Sequence, residues 1–173
     1  MASLALSGNP TVLLLLFSPP ELLLVCTARG DALRELAPAI VSRQAGPRYL
    51  GYLRAQKERL LGTRGQKRVN RPELIAAHGF DTKYAVHVVR LGYQGIELLT
   101  SGRLTLPMPE PVRSRIMEIR LGERSQDEVV EEIESVEHQL VQANDASPLL
   151  DQPDHERVNA FIVDAYREAW GWR

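Results

Sequence analysis

Apolar positions recur three and four residues apart along much of this chain, the period of a helix that buries one face. Near the C-terminus Val158, Phe161, Ile162, Ala165, Ala169 and Trp170 follow that period and predict a core-facing helix. Val129, Val130, Ile133, Val136, Leu140 and Val141 follow it behind Ser125-Gln-Asp-Glu128. There the serine can accept from the backbone and the glutamate can return the bond, which is a capping box. Asp81 can cap a strongly patterned helix from Thr82 to about Tyr93. Further helices are expected over Tyr49 to Leu61, ended by Gly62, over Pro72 to Ala77, and over Pro111 to Leu121, closed by Gly122. Asp31 can cap another, carrying Leu33, Leu36, Ile40 and Val41, which Pro38 should bend or split. Met1 to Gly8 reads as the last turns of a helix, and Gly8-Asn9-Pro10 as a stop and turn. Because nothing caps that first helix, the reading expects something missing upstream. Gly62 to Arg71 is a polar, basic loop, and Gly102-Arg-Leu-Thr-Leu-Pro107 a short extended piece. The pattern predicts a mainly α fold with little or no sheet.

Composition narrows the class. The 173 residues are 44% hydrophobic and 25% charged, ordinary for a soluble domain that needs no covalent staple. One cysteine, Cys26, excludes an intramolecular disulfide and a thiolate-rich zinc site. The apolar runs Val12 to Phe17 and Leu22 to Val25 are far shorter than the ~20 residues a bilayer needs, and Pro19-Pro20-Glu21 keeps them apart. No Lys or Arg precedes Arg29, so a signal-peptide start is lacking, and Val25 is too bulky for a lipoprotein box before Cys26. These runs read as buried core of a cytoplasmic protein with no membrane partner.

Net charge is only −1, but it is unevenly spread. Nine basic residues against one acid, Glu58, lie between Arg43 and Arg71, and seven acids against one base, Arg124, between Glu123 and Glu137. The basic stretch has two readings. Arg54, Lys57, Arg64, Lys67 and Arg68 contact nucleic-acid phosphates, or they line a solvated helix and loop. The acidic run is a solvated face, or it pairs with the basic stretch within the chain or in a homodimer. The most informative pattern lies on the helix that starts at Thr82. At ~100° per residue, Lys83, His87, Arg90 and Gln94 share a sector of about 60°, with valines opposite. A point charge, an imidazole, a two-pronged guanidinium and an amide stacked together suit a phosphate chain. A solvated face is the plainer alternative. No two histidines have metal-ligand spacing with a third ligand nearby, so no metal is expected on them.

Asn9-Pro-Thr-Val-Leu13, Gly51-Tyr52, Phe80-Asp-Thr-Lys-Tyr-Ala-Val-His-Val-Val-Arg-Leu91, Glu97-Leu-Leu99, Gly102 to Pro107 and Ile119-Arg-Leu-Gly122 occur in order. Together they resemble the predicted nucleotidyltransferases of the DNA polymerase beta superfamily, in the subgroup associated with RNA repair. The resemblance implies an α/β palm with a Gly-Ser turn and an Asp-x-Asp strand, whose carboxylates hold Mg²⁺ for transfer of a nucleotidyl group. No Gly-Ser turn followed by Asp-x-Asp occurs here, and Leu14 stands where relatives often carry glutamate. The expected architecture is therefore a helical substrate-binding lobe, residues 31–173, preceded in 1–30 by a remnant of the palm edge and a linker. The missing palm would reflect a fragment, a late start codon or a natural remnant. The resemblance implies that Lys83 and Arg90 bind triphosphate oxygens and that His87 donates to a phosphate or sugar, with Gln94 beside them. Asp81 is expected to cap the helix. Mg²⁺ is expected of full-length relatives, but without a protein site in this chain, so no residue here is assigned a catalytic role. The partners implied are a nucleoside triphosphate, RNA, and a homodimer or a chain supplying the palm. The alternative is a non-catalytic module that binds nucleic acid or protein.

Overall fold

The computed structural model describes residues 2–63 and 71–171. Among these the elements are α1 (Ala2–Leu6), α2 (Pro10–Leu16), a 3-10 turn (Pro20–Leu22), α3 (Ala28–Glu35), α4 (Ala37–Ile40), α5 (Ala45–Leu60), α6 (Pro72–His78), α7 (Thr82–Ser101), α8 (Val112–Leu121), α9 (Gln126–Asp145) and α10 (His155–Trp170). No strand occurs among the described residues, as the helical periodicity requires.

α7 is the axis of the molecule, and α5, α9 and α8 pack around it. Its start follows from the sequence: the Asp81 carboxylate accepts from the backbone N–H groups of Lys83 and Tyr84, satisfying donors that have no partner inside a helix. It ends at Gly102, in the left-handed region at φ +71°, where a glycine carries little strain. Ala85, Val88, Val89, Leu91, Leu98 and Leu99 form its buried face. Gly92 and Gly95 let the neighbours come close. A Cβ at Gly92 would lie 2.1 Å from Val136 Cγ1, and one at Gly95 would lie 2.8 Å from Leu140 and 2.9 Å from Tyr49. Tyr49 and Leu53 of α5 and Ile133, Val136 and Leu140 of α9 complete this core. Burial raises the Tyr49 phenol, and Glu97 adds to the shift. The capping box at Ser125 and Glu128 is formed at the start of α9.

Several local expectations are corrected. α3 starts at Ala28 because Thr27 takes the cap, accepting from Gly30 N–H. Asp31 lies instead in its first turn, where a carboxylate faces the positive end of the helix. Pro38 does split the segment, and sits in the first turn of α4. α5 starts at Ala45 rather than Tyr49, since a proline such as Pro47 is tolerated in a first turn. Asn9 opens α2, its side chain accepting from Thr11 and Val12 N–H with Pro10 at the first position.

The apolar runs of the N-terminal segment are not uniformly buried. Leu13 is fully enclosed, whereas Leu15, Leu22, Leu24 and Val25 are exposed. After α2 the chain passes through a short 3-10 turn and a bend with no helical face to bury. α10 also departs from expectation. Val158 is buried and Phe161 and Ile162 half-buried, while Ala169 and Trp170 are exposed. Its main contact is α4, and its second half is tied to α3 through Arg29, which pairs with Asp164 and Glu168.

Candidate functional site

The face of the N-terminal half of α7 turned away from the core forms one wall of a cleft of about 680 Å³. Lys83, His87 and Arg90 line it from α7, Gln56 and Arg59 from α5, Arg71 from the turn before α6, and Arg120 from the last turn of α8. Leu74 and Val86 supply apolar wall. Among the described residues that line the cleft there are five Lys or Arg side chains and no carboxylate. The cation-bearing stretch of α7 from Lys83 to Arg90 rises about 10 Å along the helix axis, at ~1.5 Å per residue.

Two local arrangements fix side chains at this cleft. Arg71 Nη1 donates to Asp81 Oδ2 at 2.9 Å, and its guanidinium lies 5.1 Å from the Tyr84 ring centroid, within cation–π range. Asp81 thus caps α7 with one oxygen and holds Arg71 with the other, while itself buried. One turn later, Arg90 Nη2 lies 3.1 Å from His87 Nδ1. A guanidinium has no lone pair, so it donates and Nδ1 accepts. His87 is therefore neutral there. Its pKa lies below the usual imidazole value, first through burial and then through the Arg90 charge.

The sequence-selected residues divide into three groups. Lys83, His87 and Arg90 come together in the cleft. Gln94 does not line it and is buried. It shares their helical sector but sits a turn further on, where α5 covers α7 and Leu53 and Tyr49 reach Gly92 and Gly95. Of the basic-stretch candidates, Arg54 Nε lies 2.7 Å from Glu137 Oε1 and Lys57 Nζ 3.2 Å from Glu134 Oε1, so the α5 cations pair with the acidic face of α9 within the chain. Arg64, Lys67 and Arg68 lie outside the described residues. Helical spacing alone did not find Arg59, Arg71 or Arg120. They reach the cleft from three other segments, and only the tertiary fold brings them together.

Other features lack the same chemistry. A second cavity of about 290 Å³ is lined by apolar residues of α1, α2, α3, α4 and α10, such as Leu6, Leu16, Leu33, Ile40 and Phe161. It offers no donor to an anion. The Cys26 thiol donates to Asp31 Oδ1 and is pushed up by that bond, which makes its nucleophilic form scarcer near neutral pH. Among the described residues no three His, Cys, Asp or Glu side chains gather as a metal ion requires.

A family model described as the RNA repair pathway DNA polymerase beta family matches residues 1–164. The chain belongs to that family. No curated protein matches it, and no solved structure does. For a member of the RNA repair pathway DNA polymerase beta family, the mainly helical fold is established over the described residues. No helix among these is long and apolar enough to cross a membrane.

Proposed function

We propose that the cleft binds the phosphate chain of a nucleoside triphosphate. The observation that carries this reading is the charge balance of the cleft: among the described residues that line it, five cations and an imidazole converge from four segments, and no carboxylate does. A phosphate chain needs charge-assisted donors spread along its length. Lys83 and Arg90 present them from α7, and Arg59 and Arg120 face them from α5 and α8. Leu74 and Val86 give an apolar strip on which the base or sugar can rest.

The Mg²⁺ implied by the family does not fit the described side chains, since no three potential ligands are grouped. Two-metal transfer needs such carboxylates. The reading is binding, with little or no nucleotidyl transfer by this chain alone. It keeps RNA as a further ligand of the cleft itself, because Arg54 and Lys57 are engaged by α9. Calorimetric titration with ATP, GTP, CTP and UTP tests the proposal. Saturable heat with one or more of them supports it, and no heat with any of the four removes it. A radiolabel transfer assay with Mg²⁺ is expected to show no turnover, and robust turnover would contradict the binding-only reading.

A further inference from the structure

Resting on that proposal and going one step further, we infer that His87 and Arg90 make the cleft selective for a terminal phosphate over the internal phosphodiesters of a strand, and that binding takes up a proton at His87. The Arg90 guanidinium donates to His87 Nδ1 at 3.1 Å, so in the empty cleft the ring is neutral and carries its proton on Nε2. Among the described residues, the charged groups that line the cleft with it are cations: Lys83 and Arg90 on α7, Arg59 on α5, Arg71 before α6 and Arg120 on α8. Asp81 is the nearby acid in contact with this set, and it is held by Arg71. Tyr84, the remaining titratable neighbour on α7, carries no negative charge near neutral pH. Among the described residues that line the cleft no fixed anion is therefore placed to stabilise an imidazolium, and burial with Arg90 holds the ring's pKa down.

A ligand can supply the missing charge, and ligands differ in how much they bring. An internal phosphodiester carries one negative charge on two free oxygens. A terminal phosphate carries about −1.5 to −2 near pH 7 and has three oxygens. Two of those oxygens suit the fork of Arg90, replacing Nδ1 as its acceptor. The third accepts from the imidazole. Nδ1, released by Arg90, then takes one proton from solvent and the ring becomes imidazolium, with no other covalent bond made or broken.

The sign of the pH dependence follows by linkage. The empty-cleft pKa is depressed and the bound pKa is raised. Above the second pKa of the terminal phosphate, near 6, affinity declines as pH rises toward the bound value, by at most about tenfold per pH unit for one proton.

The test uses the full chain and two hexa-adenylate oligonucleotides that differ only in a 5′-phosphate. Calorimetric titrations run in two buffers of different ionisation enthalpy, from pH 6.5 to 8.5. The phosphorylated strand is expected to bind roughly tenfold or more tightly, the size of a charge-assisted contact. Its binding should take up close to one proton near pH 7, and its advantage should shrink as pH rises. His87→Asn keeps an acceptor for Arg90 and cannot titrate. It should lose the proton uptake and most of the preference, while its melting curve shows that it folds. His87→Gln serves as a second non-titrating variant. Equal affinity for the two strands, absence of proton uptake in the wild type, or a His87→Asn protein that keeps both would overturn this inference and leave triphosphate binding standing. Failure of both strands and of all four nucleoside triphosphates to bind would remove the parent proposal together with it.

Discussion

At the scale of single residues, glycines 92 and 51 make opposite predictions from the same substitution. Gly92→Ala places a methyl 2.1 Å from Val136 Cγ1 and 3.1 Å from Leu53. Val136 is β-branched and cannot swing aside easily. Overpacking of this kind costs about 1–3 kcal/mol, more than the ~1 kcal/mol that alanine gains over glycine in a helix. The variant should melt several degrees below the wild type. Gly51 lies in α5 with nothing within 4 Å of its would-be Cβ. Gly51→Ala should therefore raise the melting temperature, by up to about 1 kcal/mol of stability.

His87 makes a third prediction at this scale. Its folded pKa is lowered, so the unfolded chain binds its proton more tightly. The sign is that of a depressed group: stability is full above the unfolded pKa and falls as pH drops through it toward the folded one. NMR titration should place His87 below an ordinary imidazole. Arg90→Ala should move it upward but not fully back, since burial is the larger cause.

At the scale of elements, the two faces of α5 separate structural cations from binding ones. Arg54 and Lys57 point to α9 and pair with Glu137 and Glu134, while Arg59 lines the cleft. Exposed pairs of this kind contribute about 0.2–1 kcal/mol. Arg54→Ala should thus lower the melting temperature slightly and leave ATP affinity unchanged, whereas Arg59→Ala should weaken ATP without a stability loss. Equal effects of the two on affinity would contradict the division.

The same helices show what could be read from sequence. The start of α7 was legible from the Asp81 cap, the end of α8 from Gly122 and the start of α9 from the Ser125 capping box, whereas α7 runs on to Ser101, past the end expected near Tyr93, because Gly92 and Gly95 pack inside the helix and Gly102 ends it. The Lys83, His87 and Arg90 cluster was legible because helical spacing fixes which side chains share a face. Gln94 was misplaced because that spacing does not say where α5 begins to cover α7. Arg59, Arg71 and Arg120 were not grouped because no local rule brings three distant segments to one cleft. Thr27 was passed over as a cap because Asp31 has the same chemistry four residues later.

At the scale of the whole molecule, a net charge of −1 hides a division of labour. The acidic face of α9 neutralises part of α5, and five other cations gather in the cleft beside the first half of α7. A protein with so little net charge is drawn to polyanions by local potential rather than by overall attraction. Its affinity for a phosphate chain should fall steeply with added salt, since the screening length shortens from about 10 Å at 0.1 M to about 3 Å at 1 M. The central claim is that Lys83, His87 and Arg90 hold a phosphate chain in this cleft. Calorimetric titration of ATP at low salt into wild type, Lys83→Ala and Arg90→Ala, with melting curves to confirm folding, tests it most directly. The account predicts saturable binding by the wild type and a loss of roughly tenfold or more in each variant. Wild-type affinity retained by both variants, or no binding by the wild type, would contradict it.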